Sequence, residues 1–139
     1  MENDLFLNKT FISNNFLNVT ASDAYWLASK QKAILIDVRE LSLTFYKQFD
    51  VPGLLYIPYS LLNDRLHELS GTQPLIIADS AGILSREAMQ LLLDSGFQNV
   101  ANLAGGLVDW ERKGLPITIN LKERLSGSCM CQLRTRNNS

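Results

Sequence analysis

Residues 75–85 read Leu75-Ile76-Ile77-Ala78-Asp79-Ser80-Ala81-Gly82-Ile83-Leu84-Ser85. Four apolar residues in a row, without alternation, suit a strand covered on both faces, as in a parallel sheet. The segment from Asp79 leads into a helical pattern that runs to about Asp94, with Gly96 positioned to end it. A loop between a strand and a helix points several backbone N–H groups at one spot, beside the positive end of the helix dipole. A nucleophilic thiolate gains most from that field, and the first loop position is where it would sit. That position holds Asp79. The stretch therefore reads as an anion-holding loop whose anion is built in and whose nucleophile is missing.

Working outward, Ala33-Ile34-Leu35-Ile36 is a second continuous apolar run, ending in Asp37-Val38-Arg39-Glu40. A third, Leu54-Leu55-Tyr56-Ile57, lies between the turn signal Val51-Pro52-Gly53 and Pro58. Phe16-Leu17-Asn18-Val19 and 99–103 are shorter strand candidates. Helices are expected from Thr20, an N-cap with Asp23 three residues on, to about Lys30, and over about 41–49. Ser60 can cap a short helix ending near Gly71. Gly105-Gly106 opens another that carries Trp110 and stops at Lys113, Gly114 and Pro116. Strands alternating with helices imply right-handed crossovers. The expected fold is α/β, with a mostly parallel central sheet of about five strands and helices on both faces. Ligands of such sheets sit beyond the carboxyl ends of the strands, where Asp37 and Asp79 both fall. The chain divides into an N-terminal extension (1–15), a domain (16–119) and a basic, cysteine-containing tail (120–139).

Composition narrows the function classes. With 139 residues and 46% apolar content, the chain can bury a real core as one domain. A net charge of −1 argues against nucleic acid as a partner, since that binding rests on a basic footprint. No apolar run approaches the roughly 20 residues of a membrane span. Met1-Glu2-Asn3-Asp4 lacks the basic region of a secretory signal. The two cysteines, Cys129 and Cys131, form no disulfide framework, so a cytoplasmic location is expected.

Four blocks in this order resemble the rhodanese family over roughly residues 16–117. They are Ile36-Asp37-Val38-Arg39-Glu40; Val51-Pro52-Gly53-Leu54-Leu55-Tyr56-Ile57-Pro58; the 79–85 loop with its helix, ending Ser95-Gly96-Phe97; and Leu103-Ala104-Gly105-Gly106 followed by Trp110, Gly114 and Pro116. The resemblance implies a doubly wound domain that carries sulfane sulfur. In active members a cysteine opens the loop, becomes a persulfide and is cradled by the loop amides. This chain departs from that pattern. Asp79 replaces the cysteine, Ile83 and Leu84 replace the usual basic or polar loop residues, and Asp50 stands where a histidine often precedes the Pro-Gly block.

A carboxylate oxygen is hard and forms no useful persulfide, so ordinary rhodanese chemistry at residue 79 is not expected. Asp79 would instead be an internal ligand for the loop amides. In one reading it merely caps its helix. In the other, the loop Asp79, Ser80, Ala81, Gly82, Ile83, Leu84 and Ser85, supported by Asp37 and Arg39, binds a partner through its apolar rim. That partner would be a protein or a small sulfur-containing ligand. The alternative is a sulfurtransferase or sulfur carrier working through Cys129 or Cys131, whose thiols Arg134 and Arg136 would activate modestly; the bland version is a loose tail with incidental thiols. Two cysteines make a poor zinc site, and neither glycine-rich segment matches a nucleotide motif, so no metal and no cofactor is expected. Asp37 and Asp79 could form a magnesium-binding or phosphoacceptor pair, but Arg39 can neutralise Asp37 locally. His67 reads as a surface residue, and Trp26 and Trp110 as helix faces packed on the sheet.

Overall fold

In the computed structural model, described over residues 2–40, 46–69 and 71–119, the elements run as follows. Helix α1 (Glu2–Asn8) precedes β1 (Phe11–Ser13), β2 (Phe16–Val19), α2 (Ala21–Ser29) and β3 (Ile34–Asp37). Then come β4 (Lys47–Phe49), β5 (Leu55–Tyr56) and α3 (Tyr59–Leu62), which continues as a 3-10 helix over Asn63–Glu68. The chain goes on through β6 (Leu75–Ala78), α4 (Leu84–Asp94), β7 (Val100–Leu103), α5 (Gly106–Arg112) and β8 (Ile117–Ile119).

Six strands form the central sheet in the order β1-β2-β7-β6-β3-β5. Every neighbouring pair is parallel except the β1–β2 hairpin. The expected α/β architecture holds, and β1 brings the count to six. Burial explains the continuous apolar strands. Leu35, Ile76, Ala78 and Ala101 face one cluster with Ala24, Leu27 and Trp110 from α2 and α5. Ile36, Leu75, Ile77 and Val100 face the other with Leu62, Ala88, Met89 and Leu92 from α3 and α4. Each fully buried aliphatic side chain contributes about 1.5–3 kcal/mol, and in β6 both faces are used. Register aligns Asp37 with Ala78, so β3 and β6 end side by side.

Local signals set the helix ends. Thr20 accepts a hydrogen bond from the Asp23 N–H at 3.2 Å, which fixes the start of α2. Gly96, at φ +99°, takes the left-handed conformation just past α4. Trp110 is fully buried, its Nε1 donates to the Pro116 carbonyl at 2.7 Å, and its ring meets Tyr25 and Phe49 edge-on.

Three expectations are corrected. Residues 47–49 are strand β4, not the end of a helix, because they pair antiparallel with β8 (Lys47↔Ile119, Phe49↔Ile117); residues 41–45 lie outside the described residues. Trp26 is not a core residue: it is 38% exposed on α2, with the Lys9 ammonium 4.7 Å from its ring centre. Ser60 does not cap α3. The N-cap is Pro58, and the Ser60 hydroxyl donates to Glu40 at 3.0 Å. Among the described residues no helix is long and apolar enough to cross a membrane.

Candidate functional site

The 79–85 loop sits where β6 ends, at the middle of the sheet. Asp79 is the first residue past that strand and is 5% exposed. Its carboxylate accepts three backbone N–H groups: from Gly82, from Leu84 at 2.6 Å and from Ser85 at 3.2 Å. Leu84 and Ser85 open α4, where the first N–H groups have no partner within the helix. The N-cap position itself holds Ile83, which makes no side-chain cap bond. Asp79 thus does the capping from five residues upstream, and its negative charge meets the positive end of an 11-residue helix.

The loop is pinned from below. Gly82 adopts φ +92°, and a Cβ there would lie 3.2 Å from the Gly105 nitrogen. At Gly106, φ +58°, a Cβ would lie 2.6 Å from the carbonyl oxygens of both Asp79 and Ser80. Only glycine permits that approach, and it allows the Leu107 and Val108 N–H groups to donate to those two carbonyls at 2.8 and 3.0 Å. A buried polar chain extends the loop sideways. The Ser85 hydroxyl donates to Asn102 Oδ1, Asn102 Nδ2 donates to Asn18 Oδ1 at 2.8 Å, and Asn18 Nδ2 donates to the Ser13 and Phe16 carbonyls.

Asp37 lies next door with its own partner. Arg39 Nη2 donates to Asp37 Oδ2 at 2.8 Å and to the Lys47 carbonyl at 2.7 Å, and the Arg39 backbone N–H donates to Asp37 Oδ1 at 3.0 Å. Both side chains are buried, at 3% and 2% exposure. The two carboxylates therefore face different partners rather than a shared ion, and among the described residues no cluster of three metal-ligating side chains occurs. His67 is exposed on the 3-10 helix. Cys129, Cys131, Arg134 and Arg136 lie outside the described residues.

The rim differs from the floor. Ile83 is 63% exposed and Val108 49%. A shallow cleft of about 320 Å³ runs along the loop between Arg39, Glu40, Ser80, Ile83 and Glu87. Sequence reading missed Asn18 and Asn102. A signal was present, since an asparagine inside an otherwise apolar buried strand needs a side-chain partner.

The sequence profile of the Rhodanese-like domain matches residues 20–113. A protein of Allochromatium vinosum named sulfurtransferase is 32% identical over 91 residues, 66% of this chain and 83% of its own. The thiosulfate sulfurtransferase GlpE of Glaesserella parasuis is 25% identical over 78% of this chain and 98% of its own. Among solved structures, the rhodanese-like domain of an Anabaena protein superposes with a TM-score of 0.66 at 20% identity, covering 88% of this chain and 94% of that one. A profile match over most of the chain, on a sheet whose ends carry the 79–85 loop, makes this chain a member of the rhodanese-like domain family.

Proposed function

We propose that this rhodanese-like domain does not run thiosulfate sulfurtransfer at its loop and acts instead as a binding or regulatory module. The supporting observation is the Asp79 carboxylate accepting the Gly82, Leu84 and Ser85 N–H groups. Those donors are the ones a persulfide or thiosulfate would need. An incoming anion meets an occupied site and a like charge. The oxygen nucleophile left there is too hard to take a sulfane sulfur. The exposed Ile83 and Val108 give the rim an apolar surface suited to a partner.

The test is a thiosulfate–cyanide sulfurtransferase assay on the unmodified chain, on Asp79→Cys and on a Cys129→Ser/Cys131→Ser double variant. The unmodified chain should show no turnover above background, and Asp79→Cys should gain it. Turnover by the unmodified chain that survives loss of both cysteines would end this reading.

The relatives named as sulfurtransferases favour a second reading, in which Cys129 or Cys131 carries the sulfur. It requires turnover that disappears in the double variant, and mass spectrometry showing one added sulfur atom on either cysteine after thiosulfate treatment. A chain that stays unmodified rules it out.

A further inference from the structure

Two clefts lie side by side along the loop face, with Arg39 and Ser80 in the lining of both. The first, of about 290 Å³, is lined by Arg39, Tyr46, Lys47, Ser80, Val108 and Glu111. The second is the loop cleft. The groove that the two outline leads from β4 past the start of the loop to Ile83. The described residues end at Ile119, which is paired in the β4–β8 ribbon with Lys47, a residue of the first cleft.

Twenty residues follow Ile119, and their charge is opposite to the groove's. Lys122, Arg124, Arg134 and Arg136 stand against Glu123 alone. Of the chain's 13 basic and 14 acidic residues, four and one lie in this tail, which leaves the tail at +3 and the remainder at −4. In the groove, Lys47 is paired with Glu111 at 2.8 Å, Arg39 with Asp37 and the Asp79 carboxylate with the loop amides, so Glu40 and Glu87 supply the negative charge. Leu121, Leu125, Met130 and Leu133 supply apolar side chains for the exposed Ile83 and Val108. Cys129 is ten residues beyond Ile119, a reach of up to about 33 Å.

We infer that the groove is the docking surface for the chain's own basic tail, residues 120–139, with Cys129-Met130-Cys131 lying over the loop mouth. Tethering makes the contact intramolecular, so a modest interface suffices at the effective concentration a short linker provides. The tail is then the first partner of the surface named above. The inference rests on that reading of the loop as a binding surface, but its test is independent of any turnover measurement.

Both cysteines of the chain lie in the tail, so each can carry a nitroxide spin label once the other is replaced by serine. In the full-length chain labelled at Cys129 with Cys131→Ser, the backbone amide signals of Ala81, Ile83, Leu84 and Val108 should lose most of their intensity. Those of Gln31 and Gln73, at the opposite end of the sheet, should keep it. Raising ionic strength or introducing Glu87→Lys should restore the loop signals, because the contact is electrostatic. Equal broadening at both ends of the sheet, or none at the loop, overturns the inference. So does loop broadening in isotope-enriched unlabelled chain mixed with spin-labelled unenriched chain, which marks contact between two copies. A positive relaxation result stands even if the unmodified protein proves to be an active sulfurtransferase, and a negative one leaves the assay outcome untouched.

Discussion

Asp37 and Asp79 end neighbouring parallel strands and are both buried, yet they are neutralised by different means. Asp37 faces a guanidinium, a full charge on a side chain that folding must also bury. Asp79 faces three backbone N–H groups and a helix terminus, donors that belong to the main chain and not to another side chain. The difference decides what removal does. Taking away Arg39 strands a charge in the interior. Taking away the Asp79 carboxylate strands only amide dipoles, and any small anion can satisfy those. One corner is welded by a side-chain ion pair; in the other a carboxylate fills a nest of backbone amides.

Substitutions can break or sharpen this contrast. The largest effect is expected at the weld. Arg39→Ala leaves the Asp37 carboxylate unpaired and the Lys47 carbonyl without its donor, and should cost about 3–5 kcal/mol in denaturant unfolding. The double variant Asp37→Asn/Arg39→Met should recover most of that loss. A cost for Arg39→Ala under about 1 kcal/mol would mean the pair behaves as an exposed one, and the contrast would fail.

Next comes the floor under the loop. Gly106→Ala sets a Cβ against the Asp79 and Ser80 carbonyls in a left-handed conformation. It should cost about 2–4 kcal/mol by the same measurement. Asp79→Ala should be milder, about 1–2 kcal/mol, the usual range for losing a helix cap. Its sharper signature is in ligand dependence. Sulfate should raise the melting temperature of Asp79→Ala, through binding to the vacated amides, and leave that of the unmodified chain unchanged. Equal sulfate sensitivity in both proteins would show that Asp79 does not fill the loop. The smallest effect is expected on the rim, where Ile83→Ser should change stability by no more than about 0.5 kcal/mol in thermal unfolding.

What could be read from the sequence follows from how local each signal is. The strands over 34–37 and 75–78 carry their burial in four consecutive residues, and the caps at Thr20 and Gly96 are set by immediate neighbours. The Asp37–Arg39 pair spans two residues and was accessible for the same reason. The ribbon of β4 and β8 was not. Lys47 and Ile119 are far apart in sequence, three residues on each side make the pairing, and neither segment alternates long enough to announce a strand. Strand β1 is three exposed residues and was equally silent. Its turn did leave a trace: Asn14 and Asn15 both take positive φ, at 55° and 67°, and an Asn-Asn pair between short apolar runs is a hairpin signal. Trp26 departs from the expected core role because its indole packs against Lys9, from a segment whose fold the sequence leaves open. The occupancy of the loop depends on where the backbone turns, so residue type alone suggested it without giving the donors.

The Asn18–Asn102 bond carries a consequence for biosynthesis. Its partners are 84 residues apart, so a nascent chain that has emerged only through β6 and α4 lacks the Asn102 acceptor of Ser85 and the Asn102 donor to Asn18 Oδ1. The two halves of the sheet are keyed together by a side chain that leaves the ribosome late. Truncated translation products ending before residue 102 therefore lack the key that joins the hairpin to the loop, whatever secondary structure they form.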